Sequence, residues 1–186
     1  MRLVFNVFFD IENYEDFFYK ILFPVTARSF PIEYYKQEEL PLICEDDDFL
    51  KYQSCTYVQK NSLVIFLNNL RDGNFFLVNY IAQTANIRAA HIYIDDEKPY
   101  PGYYLAYYEN QKERVVYNIK EKRWKFYHTG EPAFFEEGDT YGEKRIPDKF
   151  NKEKILLFCK RMGINLEDED FFKPTGSVFY IRRMSK

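Results

Sequence analysis

The chain is poor in the residues that carry most metal and nucleophile chemistry. It has two histidines, His91 and His128, and three cysteines, Cys44, Cys55 and Cys159. Neither histidine has a partner at metal-ligand spacing. An odd set of well-separated cysteines makes neither a disulfide framework nor a zinc site. Cys159 falls on the apolar face of an expected helix and reads as a buried thiol. A Gly-rich phosphate loop, a Gly-x-Ser-x-Gly elbow and a His-Glu-x-x-His pair are all missing. These patterns lead us to expect no metal site and no cofactor. No apolar run is long enough to cross a membrane. The opening residues, interrupted by Asn6, Asp10 and Glu12, lack the core of a signal peptide, so the cytoplasm is the expected location.

Strong positive charge is lacking too. The net charge of −3 argues against a nucleic-acid binder built on a basic groove. Acidic residues gather at Glu45-Asp46-Asp47-Asp48, Asp95-Asp96-Glu97, Glu136-Glu137 with Asp139, and Glu167-Asp168-Glu169-Asp170. Such runs are usually solvated loops or helix starts. The sharper reading is that one of them faces a basic partner.

Aromatic residues are abundant, with 19 Phe and 17 Tyr in 186 residues. The core must be largely aromatic, and tyrosines are well suited to rims and binding faces. The most distinctive stretch is an expected β-meander over residues 102–128: Gly102–Glu109, Arg114–Ile119 and Arg123–His128, separated by polar breaks. Alternation sends Trp124 and Phe126 toward the core and Tyr127 outward. Gly130 ends the third strand, and Pro132 forbids a central strand there.

Elsewhere, both faces of Arg2–Phe9 carry apolar residues, as in an internal strand. Asn13 reads as an N-cap, and Tyr14, Phe17, Phe18, Ile21 and Leu22 form one helical stripe that Pro24 should stop. Ile32–Lys36 reads as an edge strand, the acids at 45–48 as the start of a short helix through Tyr52, and Cys55–Gln59 with Ser62–Leu67 as a hairpin around Lys60-Asn61. Phe75–Ala90 reads as a helix with Leu77, Tyr80, Ile81, Thr84, Ala85 and Arg88 on one face. Ile92–Ile94 follows as a strand. Asn151 should cap a last helix ending at Gly163, and Ser177–Arg182 closes the chain as a strand. The sum is an α+β fold, a mostly antiparallel sheet with two to four packed helices, in a single domain over 1–186 with a soft subdivision near 95–102.

Two constellations carry possible chemistry. Asp95, Asp96 and Lys98 have the carboxylate-x-Lys form used by metal-dependent nucleases and hydrolases. They lie in a Pro-flanked loop, which fixes metal geometry poorly. Glu131, Glu136 and Arg145 suggest an ion pair, Glu136 with Arg145, holding the 130–150 connection against the sheet.

The second half of the chain resembles immunity proteins of bacterial polymorphic-toxin systems, including those encoded beside Rhs-type and type VI secretion effectors. The resemblance covers about residues 100–173. It rests on the tyrosine-rich strand before Glu113-Arg114-Val115-Val116, then Trp124-Lys125-Phe126, Gly130-Glu131-Pro132, Phe135-Glu136, Tyr141, Arg145-Ile146 with Asp148, Gly163-Ile164 and Asp170-Phe171-Phe172. It implies a protein without enzyme activity that binds a cognate toxin domain and occludes its active site. The expected contacts are Tyr104, Tyr108 and Tyr127 with the acidic clusters Asp46, Asp47, Asp48 and Asp95, Asp96. Trp124, Phe126, Gly130, Glu131, Pro132, Glu136 and Arg145 would be its structural motif. The alternatives are the metal-dependent hydrolase above and an adaptor without a toxin partner.

Overall fold

The computed structural model describes residues 2–28, 31–41, 43, 51–58, 63–137 and 141–184. Its strands are β1 (Arg2–Phe8), β2 (Ile32–Gln37), β3 (Gln53–Val58), β4 (Val64–Asn68), β5 (Ala89–Asp95), β6 (Gly102–Glu109), β7 (Lys112–Lys120), β8 (Trp124–Thr129) and β9 (Val178–Arg183). All pair antiparallel in one nine-stranded sheet of order β2-β9-β3-β4-β1-β5-β6-β7-β8. The helices are α1 (Tyr14–Phe17) and α2 (Phe23–Ala27), joined by a π turn (Phe18–Leu22), then α3 (Phe75–Ala85), α4 (Ile146–Lys149) and α5 (Lys152–Arg161). This is the α+β fold that the patterning predicts.

β1 lies inside the sheet between β4 and β5, as its two apolar faces require. Phe5 and Val7 enter one core, and Phe8 enters the other. The first core lies under α5, Ala133, Phe135, Tyr141 and the segment around 164–172. The second lies under the helical stretch 14–27 and α3. β2 is an edge strand, β3 and β4 pair as a hairpin with Val58 opposite Val64, and β6–β8 form the expected meander. The turn at Lys60-Asn61 lies outside the described residues. So do residues 45–48, and with them the expected short-helix start and the contacts Asp46, Asp47 and Asp48. The 95–102 stretch connects β5 to β6, neighbours in the same sheet.

Two helix boundaries differ from expectation. Pro24 does not stop the first helix, which runs on to Ala27. Proline cannot donate to the ordinary helical ladder and crowds the carbonyl four residues back. The π turn before it absorbs this misfit: the Phe23 N–H reaches Phe18 O, five residues back. The second difference is that α3 ends at Ala85 rather than Ala90. Asn86 takes a left-handed conformation with φ of 50°, and Ala89 and Ala90 are recruited into β5 opposite Phe8 and Val7. The buried stripe of α3 is Leu77, Val78, Ile81 and Ala82, while Tyr80 and Thr84 point outward. Asn151 caps α5 as expected, accepting from the Lys154 N–H at 3.0 Å, and Gly163 follows the helix with φ of +83°.

Candidate functional site

Strand alternation puts Tyr104, Tyr117 and Tyr127 on one face of the meander, and the register sets them directly opposite one another across β6, β7 and β8. Their ring centroids are 6.2 Å and 5.3 Å apart. α3 extends the row. Phe75 lies 6.3 Å from Tyr104 and 4.0 Å from Phe76. The result is one aromatic row running from helix to sheet edge. Its ends are open to solvent, with Phe76 70% and Tyr127 48% exposed, and Tyr80 beside it on α3 is 45% exposed. α3 packs against β5 and β6; on this face Val115 of β7 is still buried, and the open aromatic shelf runs from Tyr117 to Tyr127 on β8. Lys125 is exposed on the same face of β8, and Arg123 is exposed just before the strand begins.

Tyr127 therefore lies where a partner can reach it, while Tyr104, in the middle of the row, is half-buried against the second core. Tyr108 is out of reach: it is 1% exposed, packed in the second core opposite Ala89. It shares a face with Tyr104, but the helical layer covers that end of the strand. Parity assigns a face and says nothing of what lies over it. Trp124 and Phe126 depart from expectation in the other direction, being only half-buried. Trp124 stacks on Tyr103 at 6.5 Å, and Phe126 lies 5.2 Å from Tyr141. β8 is the last strand, so its inward side chains have neighbours on one flank only.

The opposite face of the meander carries a buried polar pin. Arg114 and Asn118 flank buried Val116 at alternate positions of β7, so both point into the first core's side. Arg114 makes a bidentate pair with Glu136, both bonds 2.7 Å, with side chains 5% and 3% exposed. Its Nη1 also donates to the carbonyls of Thr129 and Gly130, each at 3.0 Å. Glu136 accepts further from the Ala133 N–H at 3.0 Å and the Tyr141 hydroxyl at 2.5 Å. Burial alone would raise the Glu136 carboxyl. The hydrogen bonds from Arg114, Tyr141 and Ala133 outweigh burial and hold it below the usual carboxylate range. Asn118 donates to the carbonyls of Ile146 at 2.8 Å and Phe150 at 2.9 Å, fixing α4 over β7. Gly130 is required at its position: φ is +83°, and a Cβ there would sit 2.1 Å from Glu113 O.

This corrects the expected pairing of Glu136 with Arg145. Arg145 is exposed and lies 3.5 Å from Asp148, and Glu131 pairs at the surface with Lys112 at 2.7 Å. The buried cation is Arg114. The readable signal was a charged residue at an inward position of a strand, which must find an acceptor. Phe75, Phe76, Tyr80 and Tyr117 also escape the sequence reading. Adjacent phenylalanines at a helix start cannot both face the sheet, and that was the available clue for Phe76.

The carboxylates Asp95 and Asp96 are engaged separately. Asp95 accepts from the Tyr93 hydroxyl at 3.1 Å and the Glu97 N–H at 2.8 Å. Asp96 accepts from Tyr103 at 2.9 Å and Lys152 at 2.6 Å. Lys98 is exposed in the loop between them and β6. Among the described residues, no group of three or more His, Cys, Asp or Glu could hold a metal ion, and no helix is long and apolar enough to cross a membrane.

His91 sits under α3 in a closed network. Asn6 spends its amide on Gly73 O at 2.9 Å and Phe66 O at 3.3 Å, so its Oδ1 accepts from the His91 Nδ1–H at 2.7 Å. Burial pushes the imidazole pKa down to about 3 from 6.5. A depressed folded-state pKa gives stability that is full above the unfolded value near 6.5 and is lost as pH falls toward the folded one. The NMR signals of the His91 ring are expected to stay at neutral-form positions down to about pH 4. A titration midpoint near 6.5 would contradict this geometry.

No family model matches the chain, and no curated protein or solved structure matches it significantly.

Proposed function

We propose that this chain is a cytoplasmic immunity protein that binds a cognate toxin domain and occludes its active site. The observation that carries the reading is the open aromatic row Phe76–Phe75–Tyr104–Tyr117–Tyr127, with Tyr80 at its flank. Large, rigid rings of this kind supply contact area at low entropic cost and are the usual anchors of protein interfaces. The motif residues of the family resemblance have a coherent role beside it. Glu136 and Tyr141 converge with Gly130 on Arg114 and pin the 130–150 connection to the back of the same three strands. Pinning stiffens the shelf from behind, so little ordering is left to be done on binding.

The expected genomic setting is a gene directly upstream whose product ends in a variable toxin domain. Co-expression with that domain is expected to restore growth and yield a co-purifying complex. Phe76→Asp leaves the core untouched, because Phe76 is 70% exposed. It is expected to weaken the complex by about 2–3 kcal/mol, roughly 30- to 150-fold, with loss of protection and an unchanged melting temperature. Full protection by Phe76→Asp would remove the aromatic row from the interface. Failure to bind any adjacent gene product would remove the reading itself. Binding to another protein without protection would favour the adaptor.

A further inference from the structure

We infer that a second copy of this chain pairs on the outer edge of β8, continuing the sheet across a two-fold axis that passes beside Tyr127. This rests on the sheet edges and is independent of the toxin-binding reading. β8 is the last strand in the order, and among the described residues no strand pairs with its outer side. An unpaired edge is a template for another strand unless it is blunted. β8 reads Trp124-Lys125-Phe126-Tyr127-His128-Thr129, six residues with one charge, no proline and four ring-bearing side chains. The opposite edge is guarded. β2 begins after Pro31 and carries Glu33 and Lys36, ion-paired to Arg182 and Glu15. With β8 the less charged of the two outer strands among the described residues, association through it alone closes as a pair of identical patches and does not run on into fibres.

The side chains accommodate their own copy. A two-fold normal to the sheet keeps each face continuous, so directly opposed residues must come from the same face. Centred on Tyr127, the antiparallel register sets Tyr127 against Tyr127, Phe126 against His128 and Lys125 against Thr129. No like charges oppose one another, and Arg123 runs toward Glu131 of the second copy. On one face the tyrosine row then passes unbroken from Tyr104 through both Tyr127 rings to the other Tyr104. On the other, Phe126 meets His128, the pair already in contact within β8 at 5.5 Å. A junction of six-residue strands is small beside standard stable interfaces, so the expected affinity is micromolar.

Sedimentation across nanomolar to high-micromolar concentrations should show a monomer–dimer equilibrium with a micromolar midpoint. Tyr127→Lys places like charges face to face on the axis and is expected to weaken the dimer at least about tenfold. Circular dichroism of this variant should match the parent, since Tyr127 is half-exposed. Directly opposed Cβ atoms lie about 4.5–5.5 Å apart, near disulfide reach. In a Cys44→Ser background, Tyr127→Cys is therefore expected to crosslink two chains on mild oxidation, and Lys125→Cys is not. A monomer at every concentration would overturn the proposal. So would a dimer indifferent to Tyr127→Lys, or crosslinking of Lys125→Cys as ready as that of Tyr127→Cys.

Discussion

A Glu136→Ala variant is expected to lose about 3–5 kcal/mol of stability in urea unfolding, because it strands a buried guanidinium. Arg114 keeps the carbonyls of Thr129 and Gly130, but both of its carboxylate bonds go, and with only 5% exposure it cannot reach water freely. The reverse change, Arg114→Ala, leaves a buried carboxylate facing only Tyr141 and the Ala133 N–H, and should cost a similar amount. Replacing both partners, Arg114→Met with Glu136→Leu, removes the charges together and is expected to cost less than either single change. The double-mutant cycle therefore reports the coupling directly. A loss below about 1 kcal/mol in Glu136→Ala would mean that water reaches the pin.

The same pin sets an acid limit. Glu136 has a folded-state pKa below its unfolded value of about 4.3, with burial opposing and Arg114, Tyr141 and Ala133 producing the shift. The sign follows: its stabilisation is complete above the unfolded pKa and disappears as pH falls through the lower folded value. Glu136→Ala should flatten the stability profile in that acid window while leaving the His91 contribution between about pH 6.5 and 3 in place.

Phe179→Ala is expected to be the other severe change, at about 3–5 kcal/mol. Phe179 is fully buried on β9, stacked on Phe18 at 3.9 Å with the rings 7° from parallel. Tyr14 and Tyr19 meet it at 5.4 Å each. It thus fastens the helical stretch 14–27, through its π turn, to a strand that pairs with both β2 and β3. The cavity cannot collapse easily, since its walls come from two layers. Phe179→Leu, closer in volume, should cost less than about 1.5 kcal/mol. Equal losses in the two variants would show that ring stacking, and not filled volume, supplies the stability.

The sequence by itself determined the element types wherever periodicity and turn chemistry act locally. The meander over 102–128, the internal character of β1, the edge character of β2 and the Asn151-capped α5 all follow from side chains within a few residues of one another. So does the face on which Tyr104 and Tyr127 lie. What only the tertiary structure decided depends on long-range neighbours. Tyr104 and Tyr108 share a face, yet one is half-buried under the start of α3 and the other wholly buried in the core, because the helical layer closes more fully over the Tyr108 end of the strand. Glu136 finds Arg114, 22 residues away in sequence, and not Arg145, because the stretch from Gly130 to Glu136 folds back over β7. Phe75 meets Tyr104 across the helix–sheet interface, and that contact turns separate aromatic signals into a single row. Local pattern sets which side of an element is apolar. Burial, charge pairing and a binding surface arise only when a second element arrives to cover that side, or leaves it open.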